Sequence, residues 1–95
     1  MGYTLAEFDR VLHGNFSNDS SPFGCTDLDS NRWFIHEKDS GFRIEIQAQQ
    51  DQPRQLALLN LPVLTVRFVP RSEQSEQSTD AFFQRFFQYF HKGGG

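Results

Sequence analysis

The stretch Phe42-Arg43-Ile44-Glu45-Ile46-Gln47-Ala48-Gln49 alternates without a break. Phe42, Ile44, Ile46 and Ala48 share one side of an extended chain, and Arg43, Glu45 and Gln47 share the other. Side chains on a strand repeat every two residues, so this is a half-buried antiparallel strand with one dry and one wet face. A sheet with a single apolar face needs helices on that face and solvent on the other.

Working outward, Arg32-Trp33-Phe34-Ile35-His36-Glu37-Lys38 has strand composition and ends at Asp39-Ser40-Gly41, which predicts a hairpin into the first strand. Asp51-Gln52-Pro53 reads as the next turn. Asn60-Leu61-Pro62 reads as a break, because proline donates nothing to a central ladder. Strands are therefore expected over 54–59 and 63–69, with one bent, bulged strand as the alternative.

Helices are expected at both ends. Thr4 and Glu7 have the spacing of a capping box, Leu5, Phe8 and Leu12 recur on one face, and Gly14 suits a C-cap, which predicts a helix over 4–13. Near the other end, Phe82, Phe83, Phe86, Phe87 and Phe90 are five of the eleven phenylalanines. At 100° per residue they and Tyr89 fill an arc about 160° wide, and Gln84, Arg85, Gln88, His91 and Lys92 fill the rest. A helix over 80–92 follows. Burial of five phenylalanines contributes roughly 8–15 kcal/mol before entropy is subtracted, as much as a whole domain's net stability. The aromatic face is thus read as core, with any surplus around Phe87 and Tyr89 forming a dimer seam.

The expected fold is α+β: an N-terminal helix, a three- to four-stranded antiparallel meander over 32–69, and a C-terminal aromatic helix, both helices on one sheet face. The predicted core is Leu5, Phe8, Leu12, Trp33, Ile35, Ile44, Ile46, Leu56, Leu58, Leu64, Val66, Phe68, Phe82, Phe83, Phe86 and Phe90. One domain is expected over 1–95, with 15–31 as a long polar loop, 71–79 as a polar connector and 93–95 as a flexible tail.

A net charge of −3 over 95 residues offers no broad positive field, so nucleic acid is not the expected partner. The single cysteine, Cys25, suggests a reducing compartment. The first residues lack the pattern of a signal peptide, and no apolar run reaches membrane-spanning length, so a soluble cytoplasmic protein is expected, off the membrane.

Each chemical motif has a plain structural reading beside it. Asp27-Leu28-Asp29-Ser30-Asn31 resembles the opening of an EF-hand calcium loop but has Arg32 and Lys38 where that loop needs glycine and glutamate. Cys25 with His13, His36 and His91 lacks metal-ligand spacing, so no metal and no cofactor is expected. Cys25 as a nucleophile would require an adjacent imidazole. Gly93-Gly94-Gly95 resembles the glycine ends of ubiquitin-like modifiers and sulfur carriers, which would imply action through the carboxyl terminus. Phe34 and His36 are expected on the outward sheet face beside Arg43, Glu45, Thr65 and Arg67. That face resembles single-strand RNA platforms in its aromatics and arginines, without their element order. The functional expectation is a non-catalytic interaction module that binds a protein partner or a second copy of itself, through Phe34, His36, Arg43 and Arg67 or through Phe87 and Tyr89. A glycine-tailed carrier and a thiol enzyme using Cys25 are the alternatives.

Overall fold

The computed structural model describes residues 2–17, 21–38, 41–56, 59–71 and 76–90. The element order is α1 (Leu5–Phe16), β1 (Phe23–Asp29), β2 (Arg32–Glu37), β3 (Arg43–Leu56), β4 (Leu59–Pro70) and α2 (Glu76–Tyr89). The strands form one antiparallel sheet in the order β1-β2-β3-β4, so the fold is α+β with an open four-stranded meander between two helices.

The capping box closes α1 as its sequence requires: the Glu7 amide donates to Thr4 Oγ1 at 3.1 Å and the Thr4 amide donates to Glu7 Oε1 at 3.1 Å. The helix does not stop at Gly14. It runs to Phe16 and is capped at Ser17, because Phe16 completes a buried stripe with Phe8 and Leu12 and packs on Phe23, Phe82 and Tyr89. The predicted loop 15–31 is corrected in the same region. Phe23–Asp29 form the edge strand β1, paired with β2 from Phe23↔Glu37 to Asp29↔Arg32 with an irregularity between Asp27 and Asp29. Its polar composition hid it, since only its first residues, Phe23 and Cys25, turn toward the core while Thr26 to Asp29 are exposed.

Pro53 and Pro62 both lie inside strands. β3 continues through Pro53, and β4 continues through Pro62. Their pairing steps from Asp51↔Val63 to Arg54↔Leu61, so Gln52 and Pro53 oppose Pro62 alone, a bulge at which the ladder requires no amide from either proline. The expected turn at 51–53 and break at 60–62 are therefore one feature of a single long hairpin. β2 pairs with β3 only as far as Gln47, and beyond Ala48 the hairpin continues as a two-stranded ribbon. The molecule is accordingly elongated, 47 × 25 × 24 Å.

The core lies between the sheet and the two helices. Phe82 meets Phe16, Phe23, Phe42 and Phe68, Phe86 meets Phe8 and Phe68, and Phe90 stacks near Phe8 and Tyr3, with ring centroids 4.4–6.2 Å apart across this group. Tyr3, Phe16, Phe23, Phe42 and Ala48 join the expected core, while Leu5, Val66, Phe68 and Phe83 are partly buried at its margin. Leu58 and the Leu56 side chain lie outside the described residues. α2 starts at Glu76, inside the expected connector, and its buried line is Phe82, Phe86 and Phe90. The dry arc is narrower than 160°: Phe87, at its far side, is 61% exposed. Gly93, Gly94 and Gly95 lie outside the described residues.

Among the described residues no helix is long and apolar enough to cross a membrane.

Candidate functional site

Alternation puts Arg32, Phe34 and His36 of β2, Arg43, Glu45 and Gln47 of β3, and Thr65, Arg67 and Val69 of β4 on the face away from the helices. Register sets the rows. Phe34 pairs with Glu45, which pairs with Val69; His36 pairs with Arg43; Arg32 pairs with Gln47, which pairs with Arg67. The four residues expected here, Phe34, His36, Arg43 and Arg67, thus share one surface.

At its centre stands Glu45, only 2% exposed on a face that is otherwise wet. Its cover is side chains rather than depth. Arg71, just past β4, donates to Oε1 through Nε at 3.1 Å and through Nη2, Gln47 donates to Oε2 at 2.7 Å, and Arg32 reaches Oε2 at 3.4 Å. The Arg71 hydrogen bond first, and then that of Gln47, hold the Glu45 carboxyl below its ordinary value. Arg32 also makes a paired contact with Asp29, and this contact raises its own value further. Arg32 and Arg71 thus both reach the Glu45 carboxylate and Arg32 also holds Asp29, while alternation places Arg43 and Arg67 on the same face. Arg71, Arg32 and the buried state of Glu45 were not anticipated. Alternation does place Glu45 here, but nothing in a linear pattern shows a residue beyond the strand folding back over it.

Beside this cluster the Phe34 and His36 rings are stacked, with centroids 6.3 Å apart and planes 28° apart. The imidazole lies over Gly24 of β1, where any β-carbon would collide with it. A side chain at position 24 would therefore require the ring to move. Next to Arg67 is a shallow recess of about 190 Å³ lined by Asn31, Gln47, Ala48, Gln49, Thr65 and Arg67. It is smaller than typical small-molecule pockets of roughly 300–1,000 Å³ and mostly polar, so the face suits a surface-to-surface partner better than an enclosed ligand.

The second expected surface divides. Phe87 is exposed and stacks on Phe83 at 6.0 Å, but Tyr89 turns inward against Phe16 at 5.4 Å and accepts a hydrogen bond from Arg85 at 3.2 Å.

Cys25 sits on the helix side, half-buried at the core margin. Burial first, then the nearby Asp27 and Asp9 carboxylates, push its thiol from 9.0 up to about 12, against a smaller opposing effect of Ser17. A thiol so placed stays protonated at neutral pH, which is the reverse of nucleophile activation. Near it, His13 meets Asp9 and Asp27, a grouping that the sequence reading passed over although Asp9 and His13 are spaced i, i+4 on α1.

No family model, no curated protein and no solved structure matches this chain.

Proposed function

We propose that this protein is a non-catalytic interaction module that binds an acidic, extended polypeptide segment on the outward face of its sheet. The observation that carries this reading is a sheet face on which Arg32 and Arg71 close over Glu45 and Arg43 and Arg67 stand on the same side by register, beside the stacked pair Phe34 and His36. Guanidiniums bind carboxylates through two parallel hydrogen bonds, and an adjacent half-exposed aromatic supplies the apolar anchor that interface cores favour.

The test is a titration of the isotope-labelled protein with an aspartate- and glutamate-rich decapeptide, against a lysine-rich control of equal length. Shifts confined to Phe34, His36, Arg43 and Arg67, weakened at least about tenfold by Arg67→Glu and by added salt, are the expected result. Equal response to both peptides, or shifts located elsewhere, rejects the reading.

Exposure of Phe87 beside Phe83 supports a second reading, a homodimer joined along α2. Sedimentation over a hundredfold concentration range would reveal it, and Phe87→Glu should abolish any dimer found.

A further inference from the structure

Resting on the homodimer reading above, we propose that the outer edge of β4 is the seam of that dimer. A second copy of the chain adds its own β4 there, antiparallel and about a two-fold axis at Val66, so that two sheets become one. The pairing across β3 shows which backbone groups face this edge. The Arg71 amide donates to the Arg43 carbonyl at 3.1 Å, and the Ala48 amide donates away from β4, to the Asn31 carbonyl at 2.9 Å. In an antiparallel ladder such bonding alternates from one residue to the next. Val63, Thr65, Arg67 and Val69 therefore bond to β3, and the amides and carbonyls of Val66 and Phe68 point to the outer edge. Among the described residues no other hydrogen bond takes up those of Val66 and Phe68.

The opposite edge, β1, is closed by devices that prevent strand addition. The Phe23 amide donates to Ser21 Oγ at 3.1 Å, and the Cys25 carbonyl accepts from Ser17 Oγ at 3.3 Å. The pairing of β1 is irregular between Asp27 and Asp29, and both acids are exposed. β4 has no such cover between Pro62 and Pro70. Its one charge there is Arg67, on the outward face, and Val66 and Phe68 are only partly buried on the dry face. The flank of α2 above this edge is apolar as well. Phe83 packs on Phe68 at 4.9 Å and Phe87 stacks on Phe83, whereas Arg85 and Tyr89 lie on the β1 side, against Phe23 and Phe16. The exposed Phe87 ring thus stands on the same side as the open edge.

What fits this edge is a copy of itself. Pro62 and Pro70 each stand four residues from Val66. A two-fold axis at Val66 sets Pro62 opposite the partner's Pro70, where neither side has an amide to lose. The two Val66 residues bond to each other across the axis. Each Phe68 amide meets the partner's Leu64 carbonyl, which can accept two hydrogen bonds. Charge agrees with this register. Arg67 comes opposite the partner's Thr65, not the partner's Arg67, and Thr65 is hydrogen-bonded to Asp51 of the neighbouring strand. Each guanidinium thereby approaches the Asp51 carboxylate of the other copy, so opposite charges meet on both sides of the axis. An axis normal to the sheet keeps both helical layers on one side, where the two Phe87 flanks close over the seam.

The experiment is amide hydrogen exchange of the isotope-labelled full chain at concentrations spanning about a hundredfold, beside sedimentation equilibrium over the same range. Exchange at Val66 and Phe68 should slow by at least about tenfold in step with the dimer fraction, while Thr65 and Arg67, bonded to β3, stay protected throughout. Asp51→Arg and Arg67→Asp should each weaken the dimer at least about tenfold, and the double variant should recover most of the loss. Circular dichroism checks that the variants fold, and the wild-type exchange does not depend on them. A dimer whose Val66 and Phe68 amides stay unprotected, or one that both charge reversals leave intact, overturns this seam and leaves a homodimer joined along α2 alone. A monomer over the whole range overturns the homodimer reading and the seam together, and leaves the edge to a strand from a different protein. Protection of Val66 and Phe68 that does not vary with concentration overturns the seam equally, since the chain would then cover its own edge.

Discussion

Pro53 of β3 and Pro62 of β4 face each other across one bulge of the long hairpin, between the pairs Asp51↔Val63 and Arg54↔Leu61. Two residues with no amide proton are thereby placed where the ladder skips a step. Pro62→Ala should therefore change stability by less than about 1 kcal/mol, because it restores a donor that no partner awaits. Thr65→Pro, opposite Gln49 in the regular ladder, should cost at least about 3 kcal/mol. Urea unfolding of the two variants separates these outcomes, and equal losses would contradict the bulge.

Phe86 and Phe87 are neighbours in sequence and opposites in burial, 1% and 61% exposed. Phe86→Ala removes a ring packed against Phe8, Phe68 and Phe90 and should cost about 3–5 kcal/mol. Phe87→Ala should fall within about 0.5 kcal/mol of wild type in the monomer. A comparable loss at both positions would mean that Phe87 is covered in solution, and that the α2 dimer exists.

Gly24 is the shelf on which the His36 ring rests. Gly24→Ala should displace the half-exposed imidazole and separate it from Phe34, at less than about 1 kcal/mol in stability because a surface side chain can yield. The His36 ring resonances report the displacement directly, and unchanged shifts would refute the close approach.

Glu45 is a carboxylate whose hydrogen bonds to Arg71 and Gln47 favour its charged form, so its value in the folded protein lies below the ordinary 4.5. The resulting stability is fully present above pH 4.5 and is lost as the pH falls through the lowered folded value. Glu45→Gln should lower the melting temperature at pH 7 by more than it does near pH 3. An equal decrement at both pH values would show that the charge contributes nothing.

Cys25 raised from 9.0 to about 12 has roughly a thousandfold less thiolate at neutral pH than an ordinary cysteine, three pH units being a factor of 10³. Alkylation of the native protein at pH 7 should be slowed by more than about tenfold relative to the unfolded chain. Because the folded value is raised, this contribution to stability holds below pH 9.0 and declines as the pH climbs toward 12. Rapid alkylation of the native protein at pH 7 would restore the nucleophile reading.

Much of this architecture is local in origin. The capping box needs only Thr4 and Glu7, the period-two pattern of Phe42 to Gln49 sets which side of β3 is dry, and the spacing of Phe82, Phe86 and Phe90 makes α2 amphipathic. These features repeat at the period of one element, so each is visible before any element meets another.

The rest depends on partners distant in the chain. β1 exists because Phe23 and Cys25 find β2 and the helices, although its last residues are those of a loop. Pro53 and Pro62 remain in strands because their bulge aligns them across the hairpin. Glu45 is buried by Arg71, 26 residues away, and His13 meets Asp27 at a separation of 14. Local propensity determined the helices and the dry face of the central strand. Only the tertiary structure decided the edge strand, the cover of Arg32 and Arg71 over Glu45 and the Asp9–His13–Asp27 cluster, since long-range contacts carry no period that a linear sequence can display.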